Sequence, residues 1–178
     1  MQQPRGCSLS ASINDSEGHM DGLLAYDKAQ VCLNGHTVNS ELGSYPGRTE
    51  NFCSRCGAKT ITTCVNCQKP IRGASRYSYE PEYKRPAFCP DCGLPYPWTE
   101  AALKAALDLA SELDLPEIEV TALKAALPDL VRDSPQTTVA ASRFRRLIAK
   151  AGPLAEDSFK TILVNVVTEA AGKILFAS

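Results

Sequence analysis

The chain has 178 residues, of which 44% are apolar and 22% charged, and its formal net charge is −1. That length allows one or two domains. The composition excludes a wholly disordered chain, and the charge excludes a protein whose entire surface is an electrostatic footprint for nucleic acid. The charge is uneven: residues 1–27 carry −3, residues 28–98 carry +4 and residues 99–178 carry −2.

Residues 1–21 are rich in Ser, Gln, Asp and Gly and hold little to bury, so a disordered tail is expected there. The tail contains Cys7 and His19, read as a spare thiol and a solvated imidazole. It has no apolar run of the length a secretory signal needs. Met20 is a second candidate start, because recognisable structure begins only after it. Leu23-Leu24-Ala25-Tyr26 then leads towards the first metal-type turn, as a cap or a first strand.

Residues 22–98 read as a double zinc-ribbon domain. Seven of the eight cysteines and one of the two histidines fall between 32 and 92. They form four pairs: Cys32 with His36, Cys53 with Cys56, Cys64 with Cys67, and Cys89 with Cys92. Eight soft ligands fill two tetrahedral zinc sites. Gly35, Gly57 and Gly93 suit tight turns because glycine accepts positive φ. Sequential pairing assigns Cys32, His36, Cys53 and Cys56 to one site and Cys64, Cys67, Cys89 and Cys92 to the other. Crossed pairing needs longer loops and more closure entropy. Three other chemistries compete. Disulfides fit poorly, because the chain shows no secretory signal. Iron suits a four-cysteine site, but His36 replaces a thiolate in the other and nothing suggests electron transfer. A catalytic metal keeps a position open for water, whereas four protein ligands close each of these sites. Two structural Zn²⁺ per chain are therefore expected.

Short strands are expected on either side of the first turn, and Ile61-Thr62-Thr63 is expected to be a strand linking the two sites. Residues 68–88 are expected to form a second hairpin. Between the last two pairs sit Arg72, Arg76, Tyr77, Tyr79, Tyr83, Lys84 and Arg85. Cations interleaved with aromatics can grip single-stranded nucleic acid. Alternatively, the tyrosines cover a thin sheet and the cations are solvated. Glu80 and Glu82 dilute the stripe, and seven thiolates with two zinc ions bring the ribbon from +4 to near +1.

From Thr99 the apolar period becomes helical, and residues 99–178 read as a domain of three to four helices. Thr99 is the expected N-cap, with Trp98 stapled on Leu103. Leu103, Ala106, Leu107 and Ala110 mark the first helix, which should end near Asp114. Pro116 opens a second helix carrying Val120, Leu123 and Leu127, which Pro128 stops or kinks. Ser134-Pro135 opens a third, with Val139, Phe144, Leu147, Ile148 and Ala151 on its apolar side; Gly152-Pro153 ends it. Arg143, Arg146 and Lys150 lie on the opposite face, solvated or facing an anionic partner. A single last helix is expected from about Leu154 to Leu175, with Phe159, Ile162, Leu163, Val166, Val167, Ala170 and Ile174 in register. Lys160, Asn165, Glu169 and Lys173 interrupt it, so it is no membrane span. The preceding helices could cover only part of so long a stripe, which predicts self-association or a protein partner there.

Together, the paired turns, the Ser44-Tyr45-Pro46 loop, the Pro70-Ile71-Arg72-Gly73 turn and the joint Cys92-Gly-Leu-Pro-Tyr-Pro-Trp-Thr-Glu100 resemble an uncharacterised bacterial family, a domain of unknown function (family 2321) with a zinc-ribbon part followed by a helical part. The resemblance covers most of the chain after about Leu24. It implies a bacterial, cytoplasmic protein whose activity is not established. The fold class expected is small metal-bound β, two fused zinc ribbons, followed by an α-helical bundle: α+β overall. No enzyme is expected. His19 lies in the tail and His36 is spent on metal, so no Ser/His/Asp set remains, and there is no phosphate-binding glycine loop. The expected role is a non-enzymatic adaptor or protein-interaction module. The alternative is nucleic-acid binding through the Tyr/Arg segment 72–85.

Overall fold

A computed structural model describes residues 25–77 and 82–176. The expected tail with Cys7 and His19, Leu23 and Leu24, and Tyr79 with Glu80 lie outside the described residues. Five short strands come first: β1 Tyr26–Lys28, β2 Gln30–Cys32, β3 Thr37–Asn39, β4 Thr60–Ile61 and β5 Arg72–Ser75. Five helices follow: α1 Pro97–Ser111, α2 Glu117–Leu130, α3 Pro135–Ala151, α4 Pro153–Leu163 and α5 Glu169–Leu175. The architecture is mixed α+β, a small β region followed by helices.

β3-β2-β4 form one antiparallel sheet, in which Val31 faces both Thr37 and Ile61. β1 and β5 form a second antiparallel pair, Tyr26 opposite Ser75 and Lys28 opposite Arg72. Residues 68–88 are therefore not a hairpin of their own, because their strand turns back to the start of the domain. Gly73 permits this. A Cβ there would sit 2.8 Å from the Lys28 carbonyl oxygen and closer still to that of Ser40, so only a residue without one lets β5 in. Asp27 anchors the neighbouring loop. Its buried carboxylate accepts hydrogen bonds from Lys28 N (2.6 Å), Gly43 N (2.6 Å), Ser44 N (3.1 Å) and Ser44 Oγ (2.7 Å), with Arg76 at 3.7 Å.

The β region and the helices are joined at Tyr96-Pro97-Trp98-Thr99. Helix α1 starts two residues before the expected cap, with Tyr96 at the N-cap position and no side-chain cap. Thr99 instead donates from Oγ1 to Ala87 O (2.8 Å), and Trp98 donates from Nε1 to Pro86 O (3.0 Å). Trp98 stacks on Tyr96, ring centres 4.6 Å apart. The segment before the last cysteine pair is thus stitched to the first turn of the helix. One buried cluster runs without a break from Val31 and Ile71 through Cys64, Cys89, Tyr96 and Trp98 to Ala106, Leu127, Phe144 and Phe159.

Ser134 caps α3 as expected: its Oγ accepts from Gln136 N, while its own N–H donates to Thr137 Oγ1 (2.9 Å). Gly152, at φ 95°, ends that helix and Pro153 starts the next. Pro128 does not stop α2, which runs on to Leu130. Val139 and Leu107, expected on apolar faces, are exposed.

The expected last helix is two helices, making five in all. α4 ends at Leu163, and Thr168 opens α5 by accepting from Ala171 N at its Oγ1 (3.2 Å). Three features favour the break. Val164, Val166, Val167 and Thr168 form a β-branched run of modest helix propensity. Thr168 is a capping residue. Its N–H also satisfies a carbonyl left open at the end of α2, that of Leu130 (3.0 Å). The two short helices pack on the others, α4 on α1 and α3 and α5 on α3, with Phe159, Leu163 and Val166 buried and Ile162, Val167, Ala170 and Ile174 half-buried. Phe159 meets Phe144 edge to face at 5.2 Å. The long uncovered stripe that predicted association is absent.

Candidate metal centres

The four ligand pairs sit on turns of one design. In the last three, the first cysteine donates its N–H to the carbonyl five residues on: Cys53 to Ala58, Cys64 to Lys69, Cys89 to Leu94. The residue four positions on returns its N–H to the first cysteine's carbonyl: Gly57 (2.7 Å), Gln68 (3.0 Å), Gly93 (2.9 Å). An isolated antiparallel bridge closes each turn, Phe52 with Lys59, Thr63 with Pro70 and Phe88 with Pro95. The Cys32–His36 turn is one residue tighter, Cys32 N donating to His36 O (3.0 Å), and the β2–β3 pair brackets it. The return N–H requires positive φ, and Gly35, Gly57 and Gly93 supply it at 86°, 71° and 72°.

The turns meet in two groups of four: Cys32, His36, Cys53 and Cys56, and Cys64, Cys67, Cys89 and Cys92. Within each group all donor atoms lie within 4.8 Å of one another. Tetrahedral bonds of about 2.3 Å to sulfur put sulfurs about 3.8 Å apart. The observed separations are 3.8 Å for Cys32–Cys56, 3.8 Å for Cys64–Cys92 and 3.6 Å for Cys67–Cys89. A shorter bond of about 2.0 Å to imidazole nitrogen gives mixed edges of about 3.5 Å. His36 Nδ1 stands 3.6, 3.7 and 3.3 Å from the sulfurs of Cys32, Cys53 and Cys56. A disulfide needs about 2.05 Å, and the seven described cysteines are all free. The residues fit a four-coordinate metal ion in each group.

The thiols also compete for charge. In the first group the Ala58 N–H, with His36 and its other neighbours, pulls the exposed Cys56 down to about 6, while burial pushes Cys32 up. In the second, burial works against ionisation of Cys89, but the N–H groups of Cys92 and Asp91 overrule it and bring Cys89 to about 6. Cys67 goes the other way: against the Lys69 N–H, burial and three neighbouring sulfurs push it up to about 12. Sulfurs this close cannot all ionise beside one another. A divalent cation removes the conflict, because it makes every thiolate favourable at once. Further donors already face the sulfur positions: His36 N to Cys32 Sγ (3.2 Å) and Asn34 Nδ2 to Cys56 Sγ (3.6 Å).

The basic and aromatic residues of the 72–85 segment are largely occupied within the fold. Arg72 lies over the Tyr26 ring at 5.0 Å, and Arg76 pairs with Asp27. Tyr83 donates to Arg72 O (2.6 Å), and burial pushes its phenol up to about 12. Arg85 packs on Gly35. Tyr77 remains exposed. On α3, Lys150 pairs with Glu119 at 2.5 Å.

A cleft of about 1610 Å³ separates the first metal-type turn from the α4–α5 turn. His36, Arg55 and Lys84 line one side, and Val164, Asn165 and Val167 the other. Sequence reasoning offered no sign of it, because it depends on the break between α4 and α5. Among the described residues, no helix is long and apolar enough to cross a membrane.

A small β region that carries two cysteine-rich clusters, followed by five short helices, defines the class of protein. The chain belongs to a bacterial family described as an uncharacterised protein conserved in bacteria (DUF2321), whose profile matches residues 25–175. No curated protein and no solved structure matches the chain.

Proposed function

We propose that both clusters hold structural zinc, two ions per chain, and that the protein is a non-enzymatic interaction module of the bacterial cytoplasm. The observation that carries this reading is that each cluster gathers four protein donors at tetrahedral spacing. Four protein ligands leave no position for water or substrate, which separates a structural from a catalytic zinc. Free thiols at all seven described cysteines suit a reducing compartment. The cleft offers a protein partner a concave surface, on which Val164, 46% exposed, is an apolar contact.

Cobalt substitution tests the closed sites. Co²⁺ should give tetrahedral d–d bands that azide and cyanide leave unchanged; a band shift on adding azide would show an open position and contradict the reading. The interaction role is tested by crosslinking and capture from a native lysate. A partner retained by the wild type and lost with Asn165→Arg supports it. Capture that Asn165→Arg leaves intact removes the cleft from the account.

A further inference from the structure

Among the described residues, two buried side-chain polar atoms have no hydrogen-bond partner: Arg85 Nε and Tyr96 Oη. Both are donors, and one stands beside each cluster. Buried donors left unmade cost about 1–3 kcal/mol each, so two of them placed this way call for an acceptor.

Arg85 lies on the first cluster. Its Nε and Nη2 would be 2.7 and 2.8 Å from a Cβ at Gly35, the residue between Cys32 and His36. Burial works against the charge of the guanidinium, and the Cys32 sulfur, ahead of Tyr83, favours it. Tyr96 lies on the second cluster. It is 0% exposed and shares one buried cluster with Cys64 and Cys89. The hydroxyl neighbours Cys89 but makes no well-directed hydrogen bond to it.

A divalent ion supplies what both lack. Three thiolates, an imidazole and M²⁺ carry −1; four thiolates and M²⁺ carry −2. We infer that Arg85 and Tyr96 are outer-sphere positioning residues, Arg85 giving charge to the Cys₃His centre and Tyr96 an O–H···S hydrogen bond to Cys89 in the Cys₄ centre. This rests on the reading that both clusters hold metal. Donors outside the ligand set typically change metal affinity 10- to 100-fold. Tyr96 is also the N-cap residue of α1, so this bond would tie the metal state of the second centre to the start of the helical bundle.

The test uses the full chain with Co²⁺ in both centres, told apart by the different d–d bands of S₃N and S₄ ligation. Tyr96→Phe, which removes only the hydroxyl, should speed metal loss from the Cys₄ centre to a chelator 10- to 100-fold. It should also shift that centre's sulfur-to-cobalt charge-transfer band to lower energy, because a thiolate that loses a hydrogen bond is a better electron donor. The Cys₃His centre should not change. Arg85→Gln should show the converse, and Arg85→Lys should restore part of the loss. Equal loss from both centres in either variant, or unmoved rates and bands, overturns the inference. A wild type that takes up no Co²⁺ fails at the earlier step and removes the metal reading itself.

Discussion

Gln68 holds the turn position that Gly57 and Gly93 hold in the neighbouring turns, and it is the described non-glycine residue with positive φ, 62°. A side chain in that region costs roughly 1–2 kcal/mol, and glycine returns part of the gain as unfolded-state entropy. Gln68→Gly should therefore stabilise the metal-loaded protein by about 0.5–1 kcal/mol, seen as a higher thermal midpoint; a lower midpoint would show that the Gln68 contact with Val65 O outweighs the strain. Gly73→Ala should do the reverse, since Lys28 and Ser40 offer only backbone to give way, and a loss under about 1 kcal/mol would contradict that packing. Asp27 adds a pH dependence. Burial would raise its pKa, but Ser44, the Lys28 and Gly43 N–H groups and Arg76 lower it below 3.8. Its contribution is thus complete above 3.8 and lost as the pH falls through the depressed value. Asp27→Asn should cost about 2 kcal/mol at pH 7 by chemical denaturation, and less as the pH falls towards that value.

At the scale of elements, the break between α4 and α5 decides what the C-terminal residues do. Thr168→Ala removes the cap of α5 and should cost about 1 kcal/mol; an unchanged melting curve would mean that the Leu130 contact alone holds the turn. Val166 is 5% exposed, so Val166→Asp places an unpaired charge in the bundle. It should lower stability by about 3 kcal/mol or more rather than change the oligomeric state, and a well-folded variant of altered oligomeric state in light scattering would return that face to the surface. The sequence pattern concealed the break because Phe159, Leu163 and Val166 stay in helical register straight through the turn. What marks it is Thr168, whose backbone N–H meets the carbonyl of Leu130, nearly forty residues earlier. The ligand turns were legible for the opposite reason. Cys-x-x-Cys spacing and Gly57 or Gly93 specify a local conformation with no distant partner. The pairing of β5 with β1 was not legible, because it depends on a close approach at Gly73 that periodicity does not encode.

At the scale of the whole molecule, the β region and the helices share a core through Tyr96 and Trp98. Small metal sites supply much of their own folding energy. Chelation should therefore unfold residues 26–95, leave most of the far-ultraviolet helical signal, and expose Trp98, the single tryptophan of the chain, with a red shift of its fluorescence. An unshifted Trp98 spectrum after complete metal removal would show that the joint stands without the ribbon. Metal in both clusters is what the folding of the β region and the outer-sphere roles of Arg85 and Tyr96 require. The most direct measurement is elemental analysis, together with native mass spectrometry, of full-length protein purified without added metal: it should give two zinc ions per chain, whereas one ion, none, or iron in place of zinc would contradict the account.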